Sequence, residues 1–180
     1  RRDTLIAYPA EQYQWVRDGR PIPDATARML VADRSGRYAL QTRNTADCRA
    51  ESEPVTLSFG HATLALPRMT ARQGDTVDIA LRLVSASDMR EAGDGEMVTE
   101  WAMKKKTLHV ISGGTMLPDL EDEQRIRVPG RYRNGETTLA ILRAEVIAEE
   151  GEIPLILKAV RWLDGLVRTE LQSGSLTVRP

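Results

Sequence analysis

Apolar residues along this chain recur at every second position far more often than at every third or fourth. Thr76–Val84 reads T-V-D-I-A-L-R-L-V, which sets Val77, Ile79, Leu81 and Leu83 on one face and mostly polar or small residues on the other. A period of two is what a half-buried strand needs. No stretch keeps apolar residues at i, i+3, i+4 and i+7 for three turns without a Gly, a Pro or a strand-like alternation breaking it, so no helix is predicted. Further strands are predicted over Tyr13–Arg17, Gly36–Thr42, Val55–Phe59, Ala62–Leu66, Met97–Met103, Thr107–Ile111, Ile153–Val160, Leu166–Leu171 and Ser175–Val178. Thr137–Ala148 carries apolar residues on both faces, which suits a central strand buried on both sides or a short helix. The Asn134-Gly135 turn before it and Gly151 after it favour the strand.

Turn-forming pairs separate these segments: Asp18-Gly19, Ser35-Gly36, Gly113-Gly114, Asn134-Gly135, Asp164-Gly165 and Ser173-Gly174. Short strands at such spacing, punctuated by Gly and Asp, predict an all-β chain built of sandwiches rather than an α/β fold. A boundary is predicted near Phe59–His61, where P-V-T-L-S-F closes one unit and A-T-L-A-L-P-R opens the next. The expected organisation is two tandem β-sandwiches, 1–59 and 60–180, joined by a linker of a residue or two.

Charge narrows the function classes. The chain has 180 residues, 25 Lys and Arg against 26 Asp and Glu, and a formal net charge of −1. A nucleic-acid binder driven by counterion release carries a clear basic excess, so nucleic acid is not an expected partner. Purely apolar runs are only a few residues long, well short of the roughly 20 that cross a bilayer. No leader-like start is visible. One Cys and two His cannot form a disulfide framework or a zinc site of ordinary ligand count. Cys48 is read as a solitary structural thiol, with no activating constellation around it.

The first sixty residues contain Y-Q-W-V-R-D-G-R-P-I-P-D-A-T (Tyr13–Thr26), S-G-R-Y-A-L-Q-T-R-N-T-A-D-C (Ser35–Cys48) and E-P-V-T-L (Glu53–Leu57). In these stretches the chain resembles a bacterial immunoglobulin-like domain. The resemblance implies that Trp15 lies between two sheets and that Tyr38 forms a tyrosine corner, its hydroxyl tied to nearby backbone. The usual first strand of such a domain is missing, so the sequence is read as a segment of a longer protein.

From Ala62 onward the chain is similar to the cohesin-like β-sandwich family. The matching stretches are A-T-L-A-L-P-R-M-T-A-R-Q-G-D-T-V-D-I-A-L-R-L (Ala62–Leu83), E-M-V-T-E-W-A-M-K-K-K-T-L-H-V (Glu96–Val110), N-G-E-T-T-L-A-I-L-R-A-E-V (Asn134–Val146), I-P-L-I-L (Ile153–Leu157) and D-G-L-V-R-T-E-L-Q-S-G-S-L-T-V (Asp164–Val178). The resemblance implies a jelly-roll-type sandwich and a non-catalytic module without cofactor, whose best-known relatives bind dockerin partners on extracellular scaffolds. Lys104-Lys105-Lys106 and the acidic stretch Pro118–Glu123 depart from the family pattern, so recognition residues are not carried over.

Several side-chain constellations bear on chemistry. Asp119, Glu121, Asp122 and Glu123 are a weak calcium candidate, since Ca²⁺ collects oxygen ligands from one loop but this cluster lacks the D-x-D-x-D-G spacing. Lys104–Lys106 is read as an exposed turn. His61 and His109 adjoin no nucleophile motif, and no G-x-S-x-G, H-E-x-x-H or P-loop occurs. Trp101 and Trp162 are weak ligand candidates, able to stack on sugar rings if both lay exposed on one flat face. The resulting expectation is a non-enzymatic module of a secreted or cell-surface bacterial protein, serving display, adhesion or protein contact. Its partner is another protein or further copies of itself. The alternatives are a carbohydrate-binding module for a polysaccharide and a segment of a surface filament.

Overall fold

The computed structural model describes residues 3–118, 120 and 122–180. The chain is all-β, with one short 3-10 turn at Met89–Ala92. It divides into two compact units, Arg1–Phe59 and Gly60–Pro180.

Unit 1 holds β1 (Thr4–Ile6), β2 (Gln12–Arg17), β3 (Arg20–Pro21), β4 (Met29–Val31), β5 (Gly36–Arg43), β6 (Arg49–Glu51) and β7 (Val55–Leu57). Its main sheet runs β3-β2-β5-β6, with β7 also pairing β5, while β1 and β4 form a separate ribbon. The β2–β3 hairpin closes at Asp18 and Gly19, both with positive φ (50° and 77°). That backbone suits the right-handed twist of the flanking strands and is the conformation Asp-Gly adopts most readily. Trp15, Leu40 and Ala7 form the core, with Leu5 and Leu30 packed against them. The Trp15 indole N–H donates to the Ala27 carbonyl at 2.9 Å. The Tyr38 hydroxyl donates to the Arg34 carbonyl at 2.6 Å, four residues upstream.

Unit 2 holds β8 (Gly60–Ala65), β9 (Arg68–Arg72), β10 (Thr76–Ser87), β11 (Glu96–Lys104), β12 (Leu108–Ser112), β13 (Thr115–Met116), β14 (Glu123–Arg131), β15 (Thr138–Val146), β16 (Gly151–Trp162), β17 (Val167–Gln172) and β18 (Gly174–Arg179). A five-stranded sheet runs β12-β15-β10-β8-β17 and a six-stranded sheet runs β13-β14-β11-β16-β18-β9. Their inner faces share one core. Leu64, Ile79, Leu81 and Leu142 come from the first sheet, and Trp101, Ile126, Leu155 and Leu176 from the second. This is a β-sandwich whose alternating strands each bury one side.

Two of the passages from one sheet to the other lie side by side. β8 leads through Leu66-Pro67 into β9, and β17 leads through Ser173 into β18. Leu66 N–H donates to the Gln172 carbonyl and Ser175 N–H to the Pro67 carbonyl. The crossings lie so close that a Cβ on Gly174 would sit 2.0 Å from the Pro67 oxygen.

The predicted strands are present, and others join them. β14, nine residues long, is second in the order of the six-stranded sheet, yet no strand is predicted there. Its inward row is Gln124, Ile126, Val128 and Gly130, only two of them strongly apolar. Within the predicted Thr137–Ala148 the strand is Thr138–Val146, and it is not buried on both sides: Leu142, Ala144 and Val146 face the core while Ile141 is 52% exposed.

Candidate functional site

The outer face of β14, β11 and β16 gathers charge in an ordered way. In β11, Met97, Thr99, Trp101 and Met103 point into the core, so Glu96, Val98, Glu100, Ala102 and Lys104 point out. Register sets each against a β14 residue: Glu96 against Arg131, Val98 against Pro129, Glu100 against Arg127, Ala102 against Arg125 and Lys104 against Glu123. On the other flank, Val98 faces Arg161, Glu100 faces Ala159 and Ala102 faces Ile156. Opposite charges therefore lie across the strands at three rungs, an arrangement that stabilises a sheet pair by about 0.2–1 kcal/mol each.

The side chains do not simply pair rung by rung. Arg125 Nη1 donates to Glu100 Oε1 at 3.0 Å and its Nη2 to the Pro118 carbonyl at 3.2 Å. Lys158 Nζ reaches Glu123 Oε2 at 2.5 Å, tying β16 to β14 across β11. Ala102, set between Arg125 and Ile156, is fully buried although it is on the outer side. Because Glu100 is taken by Arg125, the directly opposed Arg127 makes no ion pair among the described residues, and neither does Arg161. These two guanidinium groups border a shallow groove of about 310 Å³ lined with Val98, Thr99, Glu100 and Ala159.

The sequence candidates lie elsewhere. Trp101 is fully buried, its indole N–H donating to Thr99 Oγ1 at 2.8 Å, and Thr99 Oγ1 in turn to the Val128 carbonyl. Trp162 opposes Met97 on the same inner side and donates to Thr169 Oγ1 at 2.9 Å. Both rings belong to the inner face of one sheet, so they form no exposed stacking platform. Of the calcium candidates, Asp119 and Glu121 lie outside the described residues. Asp122 is exposed, and the Glu123 carboxylate is held by Lys158. Among the described residues no group of three or more His, Cys, Asp or Glu could hold a metal ion.

Lys104–Lys106 turns between β11 and β12, with Lys106 at φ 56°. His61 and His109 are exposed, and neither hydrogen-bonds to a hydroxyl or thiol among the described residues. Cys48 is exposed in the turn after β5, where its N–H donates to Asn44 Oδ1. It is a surface thiol rather than a core residue, because the short β5–β6 turn carries it away from the Trp15 cluster.

Unit 1 contains a larger hollow, about 640 Å³, bordered by Gln12, Gln14, Gln41, Arg43, Arg49 and Glu51. It is open to solvent, Gln41 couples to Glu51 at 2.9 Å and Arg43 is held by Asp47, so size alone does not make it the site. The residues sequence reasoning missed are Arg125, Arg127 and Arg161. The R-x-R alternation at Arg125–Arg127 was the available signal. Among the described residues, no helix is long and apolar enough to cross a membrane.

No protein-family model and no curated protein sequence matches the chain. Among solved structures it is similar to the sixth cohesin of scaffoldin B from Acetivibrio cellulolyticus, determined in complex with a mutant dockerin, at 11% identity over 66% of this chain and 99% of that one, with a TM-score of 0.48. The seventh type I cohesin of a Pseudobacteroides cellulosolvens scaffoldin matches at 12% identity over 66% of this chain and 93% of that one, with a TM-score of 0.45. A non-cellulosomal cohesin from the archaeon Archaeoglobus fulgidus matches at 13% identity over 67% of this chain and 92% of that one, with a TM-score of 0.43.

Proposed function

We propose that unit 2 is a non-catalytic protein-binding module of a secreted or cell-surface bacterial protein, and that it docks its partner on the outer face of β14, β11 and β16. The observation that carries this reading is the arrangement around Val98. Arg127 and Arg161 make no ion pair among the described residues, while Arg125–Glu100 and Lys158–Glu123 hold their neighbours in place. Side chains already ordered by such pairs lose little freedom on association. Arg is the charged residue most enriched at binding hot spots, and Val98, Pro129 and Ala159 supply a small apolar patch from which water can be expelled. The face is shallow, which suits a macromolecular surface better than a small substrate.

The sequence resemblance implies a dockerin-type partner, with a role in display or adhesion. Isothermal titration of the whole chain against a panel of dockerin modules tests this. At least one should bind in a one-to-one complex. The Arg127→Glu/Arg161→Glu variant should weaken that binding at least about tenfold, or about 1.4 kcal/mol. Silence across the panel, or binding indifferent to the double charge reversal, would remove the reading.

A further inference from the structure

The six-stranded sheet ends at β9, which pairs only with β18 among the described residues, in parallel, with Arg68 against Ser175, Thr70 against Thr177 and Arg72 against Arg179. Ser175 N–H donates to the Pro67 carbonyl, so the main-chain groups at 67, 69 and 71 face β18. Those of Arg68, Thr70 and Arg72 face the open edge. The turn into β10 occupies Arg72: its N–H donates to Asp75 Oδ2 at 2.8 Å and its carbonyl accepts from Asp75 N–H at 3.1 Å. The free edge is therefore Arg68 to Thr70.

The same three residues turn their side chains outward, since Ala71 is buried and Met69 packs against the core. Beside them on β18 stand Ser175, Thr177 and Arg179. Arg68, Arg72 and Arg179 make no ion pair among the described residues, and neither strand contains an acidic residue. Glu152 of β16 stands opposite Thr177 and the Asp75 carboxylate lies at the Arg72 turn, so three guanidinium groups stand against two carboxylates and the corner keeps a small cationic excess.

We infer that the β9 edge receives an extended acidic segment of a partner protein, added as a further strand. Main-chain hydrogen bonds at Arg68 and Thr70 would supply the pairing. Carboxylates four residues apart on one face of the added strand would meet the Arg68 and Arg72 guanidinium groups, spaced about 13 Å along β9. Uncharged strands are turned away by the same arginines, as charged edges generally do. This contact is separate from the docking face and stands whether or not that reading holds.

The test uses the whole chain, ¹⁵N-labelled, and a capped eight-residue peptide alternating Glu and Thr. Saturable binding is expected, with slowed amide exchange at Arg68 and Thr70. Arg68→Ala/Arg72→Ala should weaken it at least about tenfold. Thr70→Pro should abolish it, since proline is tolerated on edge strands but donates nothing. Should that variant misfold, two N-methylated peptides give the same answer with the protein unchanged. Methyls on the residues whose amides face β9 should destroy binding, and methyls on the opposite residues should leave it intact. The inference is overturned if a peptide with its glutamates in one block binds equally well, or if both methylated peptides bind alike. It is also overturned if dextran sulfate reproduces the shifts without amide protection. Concentration-dependent sedimentation of the chain alone, with protection at the same amides, would overturn it by assigning the edge to a second copy.

Discussion

Gln124 shows how one polar side chain can hold two sheets together. It is 5% exposed on the inner side of β14, where an apolar residue would be usual. Its Nε2 donates to the Leu108 carbonyl at 2.6 Å, and its Oε1 accepts from the Thr107 and Leu108 N–H groups at 3.3 Å each. The amide thus satisfies the start of β12, in the opposite sheet, as a strand neighbour would. Gln124→Leu keeps the approximate volume but strands those groups away from water. A loss of about 3 kcal/mol or more is expected, from roughly 1–3 kcal/mol for each of the three unsatisfied buried groups. Urea unfolding should show it as a lower midpoint with an unchanged slope. Trp101 was legible as a strand residue facing the core, and its burial follows from its alternation with Thr99 and Met103. Its indole partner was not legible, because a hydroxyl two residues away serves only when both side chains lie on the same buried face.

Among the elements, strands with a full apolar row were readable and those without were not. β10 and β16 announce themselves through Ile79, Leu81, Leu155 and Leu157. β14 reads as a charged segment because its outward row is Glu123, Arg125, Arg127, Pro129 and Arg131. A proline there also argues against a strand. It is tolerated because β13 covers only Ile126 and Arg127, leaving β14 an edge strand at Pro129. β9 was missed for the same reason, its outward residues being Arg68, Thr70 and Arg72. The crossing at β18 gives a further expectation. Gly174→Ala would drive a methyl group against the Pro67 carbonyl, and overpacking of that kind costs about 1–3 kcal/mol. Thermal unfolding should report a lower transition temperature. Spectral changes should concentrate around Leu66–Arg68 and Ser173–Leu176, the segments that meet there.

At the scale of the whole molecule the two units differ in what holds them. Unit 2 gathers its buried residues into one cluster spanning both sheets, whereas the unit 1 cluster is Ala7, Trp15 and Leu40 with a few half-buried neighbours. A domain near 60 residues buries a smaller share of its surface and is correspondingly marginal. Unit 1 should therefore unfold at the lower denaturant concentration. Trp15 reports on it alone, while Trp101 and Trp162 report on unit 2. A two-step fluorescence curve is expected, and Trp15→Phe should erase the first step. A single transition seen identically by all three rings would show that the units unfold as one.

The amino-acid sequence alone determined the β class and the position of most strands, because a period of two and the Gly and Asp turns are local signals. It also placed Trp101 in the predicted strand Met97–Met103, whereas Trp162 lies beyond the predicted strand Ile153–Val160, and only the structure sets it on the same inner side. Only the tertiary structure decided which outward charges meet. Arg125, Arg127, Glu100, Lys158 and Arg161 come from three strands, and their juxtaposition depends on register, which no single segment encodes. The open edge at Arg68–Thr70 was likewise decided by topology, since whether a strand has a second neighbour depends on where the rest of the chain goes.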